Sequence, residues 1–293
     1  MTTQANKWQA GIKKAQGVLL MCAMLGGMLP ALAQAQQIDL GVAAQYSGFF
    51  FGNVSKLPDV EGRLAVGGDL SLGGASIGGR VPAGSTQPSL VVAGNIKAFS
   101  GGSIWSNGQT NSWGVYQGDK AAAVPSYLDL RNVVASPVDF AAERINLSIL
   151  SQQLRDMPAT GKVTQLYAEV TLTGGNRDVE YFNLTAAQVA NTLNFALKNV
   201  KASAYIILNV AADTQRKVKL GISMNAFEGR GKRVLFNLHD TDVLNMSNVR
   251  VVGSVLAPDA CVKDSSGHLE GSIIAASWES GMEIGYGPFE AMP

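Results

Sequence analysis

The chain has 293 residues, of which 46% are hydrophobic, 15% are charged and 33 are glycine. That apolar fraction can bury a core and the glycines keep no three-residue rhythm, which excludes disordered and collagenous chains. There are 23 basic and 22 acidic residues, but Lys7, Lys13 and Lys14 fall in the first 35 residues, where no acid occurs; the remainder holds 20 basic residues against 22 acidic, about −2. It has no basic stripe to neutralise phosphates, which excludes nucleic acid as a partner.

Lys13 and Lys14 precede an apolar run over residues 17–32 that closes on Ala31-Leu32-Ala33-Gln34-Ala35. A positive start, a short apolar stretch and small residues at minus three and minus one predict a secretory signal peptide over residues 1–35, cleaved after Ala33 or Ala35. The run is too short for a membrane anchor, and Gly26, Gly27 and Pro30 interrupt it. No stable membrane insertion is expected after cleavage. Met21, ahead of Cys22, is not the small residue that precedes an acylated cysteine, so no lipid is expected. Residues 36–293 then form one mature domain, with no intramolecular disulfide, because Cys261 is its only cysteine. Cys261 reads as a small apolar core residue.

Internal repetition follows. Val60-Glu61-Gly62-Arg63-Leu64-Ala65-Val66, Val251-Val252-Gly253-Ser254-Val255-Leu256-Ala257 and Leu269-Glu270-Gly271-Ser272-Ile273-Ile274-Ala275 share one pattern: apolar, any, Gly, polar, then three small or apolar residues. Val66-Gly67-Gly68-Asp69-Leu70 resembles Val92-Ala93-Gly94-Asn95-Ile96. The 18-residue spacing of Gly253 and Gly271 suits one β-helical coil, so each copy reads as a strand and a corner stacked on its neighbour. Residues 78–89, with two prolines and little apolar content, read as a loop between coils. Residues 103–124 set Trp105, Trp113 and Tyr116 among Asn, Gln, Gly and Ser, the composition of a carbohydrate- or protein-binding face. These three are the candidate ligand-binding residues, and packing of the stack's end is the competing role.

Ser136 as N-cap, Pro137 at the first helical position and Asp139 closing a capping box predict a helix over residues 137–156, stopped by Pro158. Phe140, Leu147, Leu150, Leu154 and Met157 share its apolar face. It is expected to lie along one flank of the coils. Thr185-Ala186-Ala187-Gln188 predicts a shorter second helix. Runs of strand length recur at residues 203–210, 218–223, 233–238 and 243–246. The fold class is mainly β: a β-solenoid (β-helix), right-handed, with one long helix on its flank.

Asp59-Val60-Glu61-Gly62-Arg63-Leu64-Ala65-Val66-Gly67-Gly68-Asp69 resembles the opening motif of the choice-of-anchor A domain of bacterial secreted and surface proteins. The resemblance continues at residues 154–161, Tyr181-Phe182-Asn183-Leu184-Thr185, residues 233–238, 253–258 and 269–275. It implies a location outside the cell or at its surface and an adhesin-like role, sometimes described as collagen binding, but supplies no ligand residues. The family's C-terminal sorting motif or membrane tail has no counterpart in residues 285–293. The order of coil, long helix and further coils is also similar to that of the ice-binding-protein solenoid.

Chemistry is sparse. Glu61 and Glu270 hold equivalent repeat positions, so stacking brings a carboxylate pair within reach of acid–base work, as in polysaccharide lyases and hydrolases built on β-helices. Outward-pointing, solvated glutamates are the simpler expectation. His239, His268 and Cys261 do not make a zinc set, and no phosphate loop or serine triad is present. Copies of the repeat carry no threonine, against the ranks of threonine that ice binding uses. The chain is therefore expected to be a non-enzymatic binding domain, without metal or cofactor, whose partner is an extracellular protein or glycan. A carbohydrate-active enzyme is the alternative reading and ice binding a third.

Overall fold

The computed structural model describes residues 38–106, 110–190 and 192–292; the predicted signal peptide lies outside the described residues. The molecule is mainly β. Among the described residues twenty strands join in one network, nearly all paired in parallel, and Lys162–Leu166, Glu169–Thr173 and Asn194–Lys198 form a small separate sheet. The result is a β-helix-like stack of coils.

One face of the stack shows how the chain travels. Val179–Thr185, Tyr205–Ala211, Val234–Asn237, the first part of Ser254–Lys263, Ile273–Glu279, Gly48–Phe50, Leu64–Val66, Leu90–Val92, Gly114–Tyr116 and Leu130–Asn132 pair in that order. The described chain thus starts in the middle of the stack and coils to one end at Asn132. A long helix carries it back, and it coils from the other end until Ile273 meets Gly48.

A second face runs through Lys217–Lys219, Val243–Asn245, the far halves of Ser254–Lys263 and Ile273–Glu279, Val54–Ser55, and the starts of Leu70–Ile77 and Ile96–Ser106. A third joins Val249–Val252, Gly267–Glu270, Glu283–Ile284, Asp59–Val60 and the ends of Leu70–Ile77 and Ile96–Ser106. Alternation sends Val218, Leu244, Val262, Trp278, Val54, Leu70 and Ile96 inward from the second face, all essentially buried in the main core.

The first face is buried on both sides. Its outer residues, Phe49, Ala65, Val91, Ile207, Leu235, Leu256 and Ile274, form a second core with Leu147, Leu150 and Leu154 of helix α1 (Phe140–Asp156). Seventeen residues make α1 about 25 Å long, enough to cross roughly five coils. The helix begins three residues later than its sequence signals suggest. Asp139 is the N-cap, its carboxylate accepting from the Ala142 amide at 3.0 Å, while the Ser136 hydroxyl accepts from Val138 N–H at 3.1 Å in a turn ahead of it. Asp139 alone is placed to serve the first free amides of the apolar stripe. Phe140, at the helix start, is only partly buried against Phe49. The second helix, α2 (Ala186–Ala190), has the expected reciprocal cap: Thr185 N–H donates to Gln188 Oε1 and Gln188 N–H to Thr185 Oγ1.

Two side-chain ladders tie the coils together. Asn183, Asn209 and Asn237 are register partners; Asn237 Nδ2 donates to Asn209 Oδ1 at 2.8 Å and to Ser151 O at 2.9 Å, and Asn209 Nδ2 donates to Leu154 O at 2.8 Å. The buried asparagines therefore fasten α1 to the sheet through its own carbonyls. The other ladder lies at a solvent-side corner, where Gly52-Asn53, Gly68-Asp69, Gly94-Asn95 and Gly118-Asp119 stack. Each Asn or Asp oxygen accepts the backbone N–H one coil on: Asp69 to Asn53 at 2.8 Å, Asn95 to Asp69 at 2.9 Å and Asp119 to Asn95 at 2.8 Å. A Cβ on Gly68 would stand 2.3 Å from Asn53 Oδ1, so only glycine admits this approach. Beyond the last corner, Asn132 Nδ2 donates to Gly118 O at 3.1 Å and stands in for a further coil.

Candidate functional site

The end of the stack at Asn132 carries a cleft of about 690 Å³. Strand Ile96–Ser106 forms one wall, and the chain doubles back so that Trp105 opposes Asn111. Ser112 N–H donates to Ile104 O at 2.9 Å, and the buried Ser89 hydroxyl joins Trp105 O at 2.8 Å to Ser112 Oγ at 3.1 Å. These bonds fix the two segments against each other. Gly102, at the cleft floor, has φ of +111° and a Cβ there would fall 1.8 Å from Ala75 O, so the wall is built on a glycine.

The opposite wall is the last coil. Its pairing sets Arg131 beside Val115, with the guanidinium stacked over the Trp113 ring at 4.8 Å. Asp129 holds that guanidinium in a fork, Nε to Oδ1 at 3.0 Å and a terminal nitrogen to Oδ2 at 2.6 Å. The Arg131 hydrogen bond keeps the Asp129 carboxyl below its ordinary range. Tyr127 stands on the rim, 67% exposed. The cleft thus gathers Trp105 and Trp113, both half-buried, with Tyr127. Tyr116 sits on the core side of its strand, partly buried against the main core, and is not in the cleft. Sequence reasoning missed Tyr127, Asp129 and Arg131. The signal was Asp129-Leu130-Arg131: two charges at strand period point to one side of a coil.

The third face holds the carboxylates. Glu61 is paired with Arg80 at 2.9 Å, and Arg250 bridges Glu228 and Glu270. The coil carrying Ile284 lies between those of Glu270 and Glu61, which sets their backbones roughly 9 to 10 Å apart. Both glutamates are half-exposed, and each is held by its own arginine. Asp59 is the perturbed acid of this face: burial, then the charges of Glu283 and Glu61, push its carboxyl up, while His268 opposes them. His268 lies 3.7 Å from Glu283, His239 pairs with Asp240 at 3.1 Å, and Cys261 is half-exposed on the second face. Cys261 is therefore not the core residue its apolar flanks suggest, because strand alternation puts Val262 inside instead. Among the described residues no cluster of three such ligands could hold a metal ion.

The second face projects Lys217, Val243, Cys261 and Ser277 in one row and Lys219, Asn245, Lys263, Glu279 and Ser55 in the next. The third projects Arg250, His268 and Glu283, then Asp59, Ser76 and Ser103. Among the described residues, neither face bears a rank of threonines. No helix among them is long and apolar enough to cross a membrane.

A family described as "Putative Ice-binding-like adhesive domain" matches residues 39–286. No curated protein matches the chain. Among solved structures, the DUF3494 domain of a Shewanella frigidimarina ice-binding protein is similar at 15% identity, covering 85% of this chain and 97% of that one, with a TM-score of 0.37. A glycosylated ice-binding protein from an Arctic yeast is 12% identical over 89% of this chain and 98% of that one, at a TM-score of 0.39. The ice-binding protein of the Antarctic ascomycete Antarctomyces psychrotrophicus is 12% identical over 87% and 99%, at 0.30.

Proposed function

The chain belongs to the ice-binding-like adhesive domain family, and from that premise we propose that it is a non-enzymatic, adhesin-like binding domain acting outside the cell or at its surface. In this reading residues 1–35 direct export, residues 36–293 form one right-handed solenoid of the choice-of-anchor A type, and the partner is an extracellular protein or glycan. The observation that carries it is the end cleft, where Trp105, Trp113 and Tyr127 meet around a fixed Asp129–Arg131 pair. Aromatic rings on a rigid frame are good anchors, since they offer large contact area at little entropic cost. The carboxylates of the third face, engaged by Arg80 and Arg250, favour binding over catalysis.

Ice is the second reading, and the family's description favours it. The charged rows on both open faces weigh against it. One experiment separates the readings: the mature chain is probed on a glycan and matrix-protein array and, in parallel, in an ice-recrystallisation assay. Array binding lost in a Trp105→Ala, Trp113→Ala double variant supports the proposal. Inhibition of ice growth with a blank array would replace it with the second reading.

A further inference from the structure

Resting on the adhesive reading, we infer that the end cleft binds a neutral oligosaccharide, stacked on its aromatic rings and gripped through neighbouring hydroxyls by Asp129 and Arg131. Charge is the first reason. Among the described residues, Asp129 and Arg131 are the only charged side chains lining the cleft, and they neutralise each other in a two-bond fork. A polyanion or a basic peptide finds no free counter-charge there.

Chemistry is the second. A sugar ring presents an apolar C–H face and a rim of hydroxyls that both donate and accept. The cleft offers the complement: the aromatic rings of Trp105 and Tyr127, with Trp113 beside them already covered on one face by Arg131, next to groups of both polarities. Asp129 is acceptor-only and keeps lone pairs beyond those Arg131 uses, Arg131 is donor-only, and Asn111 is both. Arg131 is held in place before any ligand arrives, so little side-chain entropy is lost on binding.

Shape is the third. Gly74 and Gly101 are partners on adjacent coils, with Gly73 and Gly102 beside them. A Cβ at Gly73 or Gly74 would meet nothing within 4 Å, and one at Gly101 would approach only the Tyr127 hydroxyl, at 3.8 Å. A smooth ledge without side chains therefore leads away from the cleft under Tyr127, where a linear chain can continue. The cleft volume lies within the usual range for small-ligand sites.

The test is calorimetric titration of the mature chain with xylo-, cello-, manno- and malto-hexaose, beside oligogalacturonate and dextran sulfate as charged probes, at low and high salt. At least one neutral hexaose is expected to bind, with an affinity that changes less than about threefold with salt, because no net charge is screened. Tyr127→Ala and Asp129→Asn should each weaken it about tenfold or more, at unchanged circular dichroism. Preference for a charged probe with steep salt dependence would overturn the inference, as would absence of binding to all neutral hexaoses or binding that both variants leave intact. If the array then shows a protein ligand lost in Tyr127→Ala, the sugar class falls and the adhesive reading stands. If no array ligand responds to any cleft variant, both fall.

Discussion

The two ladders of the stack join coils with bonds of similar length in opposite surroundings. Asn237 donates to Asn209 at 2.8 Å beneath a helix, with both residues almost fully buried. Asp119 N–H donates to Asn95 at 2.8 Å on a corner open to water. A hydrogen-bonding group that loses its partner in the interior stays unsatisfied, whereas one at the corner finds water. The covered face should therefore carry the stability of the molecule, and the corner should chiefly set the register of the coils.

That difference can be broken from its strongest point outward. Leu154, buried without exposure between α1 and the first face, should cost about 2 to 5 kcal/mol when changed to Ala, read as a lower midpoint of denaturant unfolding. Asn237→Ala should cost about 2 to 3 kcal/mol, since it strands the Ser151 hydroxyl and the Asn209 carbonyl together. Asn95→Ala, at the corner, should cost about 1 kcal/mol or less.

Acid sharpens the contrast further. The Asn95 backbone N–H, followed by Lys97, holds the Asp69 carboxyl below its ordinary value of 3.8. Its folded pKa is depressed, so its contribution is present above that ordinary value and is lost as pH falls through the lowered one. Asn95→Ala keeps that backbone N–H but loses a second bond to Asp69, from Nδ2 at 2.8 Å, so the share of its penalty that this bond carries should shrink in strong acid, while the penalty of Asn237→Ala, in a ladder with no titrating member, should persist. Unfolding midpoints of both variants at neutral and strongly acidic pH would show it; a penalty at the corner that holds steady in acid would contradict the assignment.

The parts legible in the sequence were those with a steric cause. Gly253 and Gly271 stack at one corner, Gly253 N–H donating to Glu270 O at 3.0 Å, and a pattern built around an obligatory glycine repeats visibly. The corner copies at Phe51-Gly52-Asn53 and Gln117-Gly118-Asp119 escaped notice because only Gly and the following Asn or Asp are constrained; their flanks differ. Asn209 lay unseen inside an apolar run, since its role depends on a helix contact 55 residues away in sequence. The insertion of Gly48–Phe50 between Ile273–Glu279 and Leu64–Val66 is a wholly non-local pairing that no local pattern encodes. In the cleft, Trp105 and Trp113 stood out by composition. Tyr116 did so too, but strand alternation turns it to the core.

The central claim is that the aromatic end of the stack, not its row of carboxylates, performs the function. The most direct measurement compares two double variants on the same array ligand, with product release followed alongside. The account predicts that Trp105→Ala with Trp113→Ala weakens binding about tenfold or more, while Glu61→Gln with Glu270→Gln binds as the parent does and no ligand is turned over. Cleavage of a polysaccharide that vanishes in the glutamate variant would contradict it.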